Sequence, residues 1–284
     1  MKILIIYFSQ TGGTEKIAKK IQEGINKSGN NCELIKIKKV DVTKLEEYDI
    51  IGLGCPTFFY KDPINIRRFI QNLPKINGKH IFIFATHGTC IGNTFYYMKK
   101  ELNKRGFVVI GAYDSYSASS IQFYPTPMYT EGHPDKQELE EALEFGETIC
   151  DVSVRVQSGE SNLLPEFKLV ENTWWARDSK ILTLELLRKI SPKFKINKEK
   201  CTKCLLCQED CPSDAINIDN LEIQKEGCIF CWACEKLCPE GAIEADWTLM
   251  RENAKRNLPR YLKQVKEAEK QGRFRPYIEY EKIF

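Results

Sequence analysis

Eight cysteines of this 284-residue chain fall into two copies of one spacing, C-x2-C-x2-C-x3-C-P. The first copy is Cys201, Cys204, Cys207, Cys211 and Pro212; the second is Cys228, Cys231, Cys234, Cys238 and Pro239. Thiolates are soft ligands, suited to iron–sulfur clusters and to zinc. Structural zinc generally takes two CxxC pairs set farther apart. Twin triplets with a detached fourth cysteine fit the bacterial iron–sulfur run, in which that fourth cysteine serves the neighbouring cluster. The chemistry expected is one-electron transfer. An Ala-Ile pair follows each run, Ala215-Ile216 and Ala242-Ile243, so residues 196–246 read as an internally duplicated module.

A second constellation opens the chain. The turn Ser9-Gln10-Thr11-Gly12-Gly13-Thr14 joins an apolar run to a helical pattern. Hydroxyls and glycines at a helix N-terminus let many O–H and N–H donors converge where the dipole favours an anion. The turn has neither a GK[ST] ending nor G-x-G-x-x-G spacing, and it carries no Lys or Arg. It suits a phosphate monoester held by neutral donors; the alternative is an ordinary strand-to-helix turn with a good cap.

These residues need a scaffold, and the pattern supplies one. Residues 2–8, Cys32–Ile37, Asp49–Cys55, His80–Thr86 and Phe107–Tyr113 read as strands, most of them continuously apolar as in a sheet covered on both faces. Helical patterns lie between them: one carries Ile17, Ala18, Ile21 and Ile25, and others cover Pro63–Gln71, Asn93–Lys104 and residues 135–156. Alternation of this kind predicts a doubly wound parallel sheet of about five strands. Ligands of such sheets bind beyond the carboxyl ends of the strands, where loops 9–14, 55–62 and 86–93 emerge. Residues 157–195 read as a linker with a helix carrying Ile181, Leu184, Leu187 and Ile190 before Pro192. Residues 247–284 read as a basic tail with a helix from Pro259 to Gln271.

Over residues 1–156 the chain resembles flavodoxin, through SQTGGT at 9–14 and two further loops. The resemblance implies an FMN cofactor, with Ser9, Gln10, Thr11, Gly12, Gly13 and Thr14 around its phosphate. It places the isoalloxazine ring between Pro56-Thr57-Phe58-Phe59-Tyr60 and a loop containing Thr86, His87, Gly88, Gly92 and Asn93. Flat aromatic walls at Phe58–Tyr60 and close backbone approach at Gly88 and Gly92 suit such a ring; packing is the alternative use of these aromatics. Flavodoxins are typically acidic, whereas residues 1–155 carry 20 basic against 18 acidic side chains.

Residues 196–246 resemble the bacterial two-cluster ferredoxin, a small α+β domain. The ligand sharing this implies is Cys201, Cys204, Cys207 and Cys238 for one [4Fe–4S] cluster, and Cys228, Cys231, Cys234 and Cys211 for the other. The two modules together resemble the ferredoxin–flavodoxin fusions of anaerobic bacteria and archaea. The expected function is electron transfer between the clusters and FMN, and on to redox proteins such as ferredoxin- or flavodoxin-dependent enzymes. An FMN-dependent oxidoreductase acting on a small molecule is the alternative, and a redox sensor a weaker third.

Other residues stay open. Cys55 and Cys90 in the predicted flavin loops read as a redox pair or as small buried hydrophobes. His87 reads as a flavin hydrogen-bond donor or as structural. Residues 114–133, with Tyr116, Phe123, Tyr124, Tyr129 and His133, form a long aromatic connection that either covers the flavin, docks the cysteine module or packs on itself. Residues 196–246 hold 5 basic and 11 acidic side chains and the tail 10 and 5, a pattern read as complementarity within the chain or as a steering surface. The dispersed basic residues give no nucleic-acid footprint. The N-terminal run reads as a buried strand rather than a signal segment, and no run approaches the roughly 20 apolar residues that span a bilayer. A cytoplasmic location is expected, where thiols stay reduced and ligate metals.

Overall fold

The structure, a computed structural model, describes residues 1–119, 121, 123–124 and 126–283. It divides into two units: residues 1–117 with 132–179, and residues 118–131 with those from 180 on.

In the first unit, β1 (Lys2–Tyr7), β2 (Asn31–Lys36), β3 (Ile50–Pro56), β4 (His80–His87) and β5 (Val108–Tyr116) form one parallel five-stranded sheet in the order β2-β1-β3-β4-β5. This is a doubly wound order, with its switch point between β1 and β3. The helices are α1 (Gly13–Lys27), α2 (Ile64–Asn72), α3 (Thr94–Lys104) and α4 (Lys136–Gln157). Ile3 to Tyr7 are all buried, as an apolar strand covered on both faces should be. Ile17, Ala18, Ile21 and Ile25 of α1 join Phe82, Phe84 and Ile149 in one core.

Glycines set the closest approaches. A Cβ on Gly24 would fall on the Leu143 carbonyl oxygen, and one on Gly146 on that of Ile21, so α1 and α4 meet backbone to backbone. In β3, Gly52 and Gly54 leave room for the rings of Phe82 and Phe84. β5 extends to Tyr116, beyond the expected Phe107–Tyr113. The register slips between Ile81↔Val109 and Phe82↔Gly111, which inserts Ile110 as a bulge. α4 opens with a capping box: Glu138 N donates to Asp135 Oδ1 (2.8 Å) and Asp135 N to Glu138 Oε2 (2.7 Å).

The expected single linker helix is two, α5 (Trp174–Ile181) and α6 (Leu184–Ile190). Thr183 breaks them by capping α6, its Oγ1 accepting from Leu186 N at 3.2 Å. Only Leu187 of the expected apolar face is buried; Ile181 is 61% exposed and Ile190 49%. Residues 164–179 form a strap on the first unit, described below with the site.

The second unit has little regular structure. β6 (Lys195–Ile196) pairs with β9 (Ile243–Glu244), and β7 (Ile216–Asn217) with β8 (Glu222–Ile223), both antiparallel. The helices α7 (Leu206–Glu209) and α8 (Ala233–Leu237) each end shortly before the Pro of a cysteine run. The tail helix, α9, spans Thr248–Lys270 rather than starting at Pro259. Its buried face of Ala254, Tyr261, Val265 and Ala268 runs past Pro259, which faces solvent, and packing outweighs the lost hydrogen bond. The Asp246 carboxylate accepts from Thr248 N at 3.0 Å just ahead of the helix, whose N-cap is Trp247. The long aromatic connection is shared out: Tyr116 and His133 belong to the first unit, and Phe123, Tyr124 and Tyr129 to the second. Phe123 lies 5.5 Å from Trp232 and 5.4 Å from Trp247. Ser120, Gln122 and Pro125 of that connection lie outside the described residues.

Candidate functional site

The three strand-end loops of the first unit converge. After β1, Gly12 takes a left-handed φ of 91° and its N–H donates to Ser9 Oγ at 3.1 Å. That bend aims the opening turn of α1, whose leading N–H groups have no partner within the helix. Gly13 abuts Ser117, because a Cβ there would fall on Ser117 Oγ. Ser9, Gln10 and Thr11 complete the turn, and Thr14 Oγ1 lies 2.8 Å from Thr86 Oγ1, both buried. The loop after β3 joins the same place: Thr57 N donates to Thr86 O at 2.7 Å, and Thr57 Oγ1 lies 3.0 Å from Thr94 Oγ1. Pro56 ends β3, and Phe58 meets Phe8 edge-on at 6.2 Å.

Phe59 and Tyr60 are both left-handed, with φ of 50° and 63°. Bulky residues there cost about 1–2 kcal/mol each. Backbone hydrogen bonds between Phe58 and Lys61 (2.9 and 3.1 Å) close this tight turn. Gly92 also has positive φ, 59°, and a Cβ on it would fall on Tyr60 O. Asn93 N donates to the same oxygen at 2.8 Å. The close approach expected of Gly92 is thus made to Tyr60, whereas a Cβ on Gly88 would meet open space.

His87 ends β4 with its side chain 3% exposed and Nε2 2.9 Å from Asp114 Oδ2. Tyr116 packs edge-on to it at 4.4 Å. Its Nδ1 is buried with no hydrogen-bond partner. An orphaned buried nitrogen is costly and rare, so this atom, beside the open space at Gly88, fits a site that receives a polar ligand edge. Cys55 is fully buried with Sγ 3.8 Å from Met98 Sδ, and burial holds its thiol well above the ordinary range; it packs as a small hydrophobe. Cys90 is half-buried.

Asn93 has a use that sequence did not suggest. Its amide donates to Val170 O (2.8 Å) and accepts from Val170 N (3.0 Å). The strap also sets Phe167 against Phe95 (5.4 Å), Trp174 and Trp175 against Tyr60 (5.3 and 6.1 Å), and the Ser179 carbonyl on Lys61 Nζ (2.5 Å). Sequence reasoning also passed over Asp114 and Ser117. The Trp-Trp pair in a presumed linker was the one available signal for the strap.

In the second unit the eight cysteines gather as two crossed sets. Burial, then the charges of Cys238, Cys204 and Cys201, raises the thiol of Cys207. Burial, with the charges of Cys228 and Cys211, pushes Cys231 up to about 12. Cys234 is raised by burial and by Cys231, Cys228 and Cys211, and Cys228 by burial, Cys211 adding to it. The two runs also repeat their backbone: Lys203 and Phe230 (φ 54° and 55°) and Leu205 and Trp232 (66° and 55°) occupy equivalent left-handed positions. The repeated alanines have a job. Ala215 N donates to Cys211 Sγ at 3.3 Å, and Ala242 N to Cys238 Sγ at 3.2 Å. Phe230 N donates to Cys228 Sγ at 3.3 Å. Such bonds stabilise thiolate and tune clusters.

The donor spacing tests the kind of metal. Around one zinc, with Zn–S near 2.3 Å, sulfurs sit roughly 3.8 Å apart. Among the described residues no three of these thiols have sulfurs mutually within 4.8 Å. The spread suits a multi-iron cluster rather than a single ion. One group does meet that limit, His133, Asp135 and Glu138, and the capping box accounts for it, with His133 Nδ1 adding a 2.8 Å contact to Glu138.

Comparison with known proteins agrees. Residues 4–109 match a flavodoxin domain, and residues 196–243 a 4Fe-4S dicluster domain. A flavodoxin of Clostridium beijerinckii is 29% identical over 151 residues, 52% of this chain and 99% of that protein. An uncharacterized protein of Methanocaldococcus jannaschii is 31% identical over 154 residues, 52% of this chain and 98% of that one. Among solved structures, a flavodoxin from the domain Archaea is 21% identical, covers 55% of this chain and 99% of that chain, and superposes with a TM-score of 0.44. The chain therefore carries a flavodoxin-like domain in its N-terminal half, joined to a 4Fe–4S dicluster domain toward its C-terminus. It is an electron-transfer flavo-iron–sulfur protein. Among the described residues no helix is long and apolar enough to cross a membrane.

Proposed function

We propose that the chain passes electrons between two [4Fe–4S] clusters and one FMN, and exchanges them with redox proteins such as ferredoxin- or flavodoxin-dependent enzymes of the cytoplasm. The domain assignment is 1–156 for the FMN domain and 196–246 for the clusters, with 157–195 and 247–284 as linker and tail. FMN supplies one- or two-electron chemistry and the clusters one-electron steps.

The crossed gathering of the cysteines is the observation that carries this reading. Cys201, Cys204, Cys207 and Cys238 would hold one cluster, and Cys211, Cys228, Cys231 and Cys234 the other. Ser9–Thr14 and the α1 N-terminus would take the phosphate, and the loops at 56–60 and 86–93 the ring. Asp114 orients His87 and leaves Nδ1 to meet the ligand. The buried thiols must lose protons to ligate iron, so cluster assembly releases protons. Flavin and clusters in one chain raise the local concentration of donor at acceptor.

A second reading, FMN-dependent reduction of a small molecule, is favoured by the same His87–Asp114 pair, an arrangement able to move a proton. Anaerobic purification with cofactor analysis tests the first reading. It expects about eight irons and about eight sulfides per chain, the content of two cubanes, together with one FMN. Zinc without acid-labile sulfide, or a chain that takes up no FMN, overturns it. Rapid turnover of a small substrate, abolished in His87→Asn, selects the second.

A further inference from the structure

The 58–61 turn is held in a conformation its residues do not favour. Phe59 and Tyr60 are left-handed without being glycine, and such positions persist only where the surroundings over-determine them. The surroundings here come from two places. Gly92 and Asn93 N fix the Tyr60 backbone from within the flavodoxin-like sequence. The rest comes from the strap, more than a hundred residues later and beyond the matched segment 4–109. Trp174 and Trp175 pack on the Tyr60 ring, Lys61 donates to Ser179 O, and Val170 takes both hydrogen-bonding atoms of the Asn93 amide. Farther along, Lys99 Nζ donates to Pro165 O at 2.6 Å. Both tryptophans are half-buried.

We propose that the strap, residues 164–179, is a working part of the FMN site: it clamps the strained 58–61 turn and preorganises the loop that receives the isoalloxazine ring. The inference rests on the FMN reading above and adds Trp174, Trp175 and Val170 to it as positioning residues. Preorganisation raises affinity by removing the ordering cost from the binding step. Linkage then makes the effect mutual: if the strap favours FMN, FMN must favour the docked strap by the same factor.

Two measurements on the full chain test this. In the wild-type protein, hydrogen exchange across residues 164–179 is expected to slow when FMN is added to the flavin-free form; exchange that ignores FMN overturns the proposal. In the double variant Trp174→Ala/Trp175→Ala, FMN is expected to bind about tenfold more weakly or worse, about 1.4 kcal/mol. The visible cluster absorption should persist, and Trp→Phe at both positions should restore most of the affinity. Unchanged affinity overturns the proposal. A variant that loses its clusters as well has misfolded, and the wild-type exchange result then decides. Should the wild-type chain bind no FMN, the functional reading fails and the inference with it; wild-type binding with an indifferent strap sinks the inference alone.

Discussion

In the sheet unit, Ile3, Ile5, Ile17, Ile21 and Phe82 are wholly buried and pack against one another without help from any ligand. In the cysteine module the corresponding cluster is Cys207, Ile216, Ile218 and Ile243, with Cys211 and Cys234 packed at its edge. Phe194, Ile196 and Ile223 pack against the same cluster, and three of these nine residues are metal ligands in the proposed sets. The module's four strands are two residues each and its α7 and α8 only 4 and 5 residues long. One unit is therefore specified by apolar periodicity, while the other has a smaller apolar cluster that its proposed metal ligands help to form. A chain can carry both because each solves the size problem differently: the sheet buries enough apolar surface alone, and the small module substitutes metal–ligand bonds.

The contrast is broken most sharply by removing iron. Chelation under reducing conditions, or Cys207→Ser together with Cys231→Ser, should abolish the module's thermal transition and its visible absorption. The sheet unit should melt unchanged, as calorimetry of loaded and stripped protein would show. Single variants should act on different clusters: Cys207→Ser on the set with Cys238, Cys231→Ser on the set with Cys211. Loss of the sheet transition on chelation would mean that the two units are not separately specified.

The converse break is Gly146→Val. Its side chain would strike the Ile21 carbonyl, so the sheet unit should lose about 1–3 kcal/mol or more in denaturant unfolding while the cluster absorption stays intact. A smaller effect is expected for Thr86→Val, which removes the hydroxyl partner of Thr14. A loss of about 1 kcal/mol corresponds to FMN bound about fivefold more weakly, readable by flavin fluorescence titration. The smallest is a pH effect. Burial, and then Lys79, lowers the pKa of His80, whose Nδ1 lies 2.8 Å from Ser153 Oγ. The unfolded chain therefore binds that proton more readily, and the sheet unit should lose stability as pH falls through about 6.5. His80→Gln should flatten that slope, which parallel melts at pH 5.5 and 7.5 would detect, and leave the module's own acid sensitivity untouched.

The same division governs what could be read from sequence. The strands and helices of the sheet unit announce themselves because a strand buried on both faces is a continuous apolar run and α1 shows one apolar face. The two cysteine runs were legible because their spacing is written in the chain itself; their division into two ligand sets came from the ferredoxin resemblance. The strap was not legible: its ties are Asn93 to Val170, Lys61 to Ser179 and Tyr60 to Trp174, polar or aromatic contacts across long separations that leave no periodicity. Nor was the partition of residues 114–133, since Phe123 looks like any loop aromatic until Trp232 and Trp247 are placed beside it. The α9 start was missed because proline was taken as a helix beginning when it is a tolerated surface position within a longer amphipathic helix.

The central claim is that electrons pass between clusters and FMN inside one chain. Anaerobic stopped-flow mixing of the oxidised protein with a one-electron donor, followed at flavin and cluster wavelengths, tests it directly. The account predicts equilibration between the two chromophores after reduction at a first-order rate independent of protein concentration. A rate proportional to protein concentration, or clusters and flavin that never equilibrate, would contradict it.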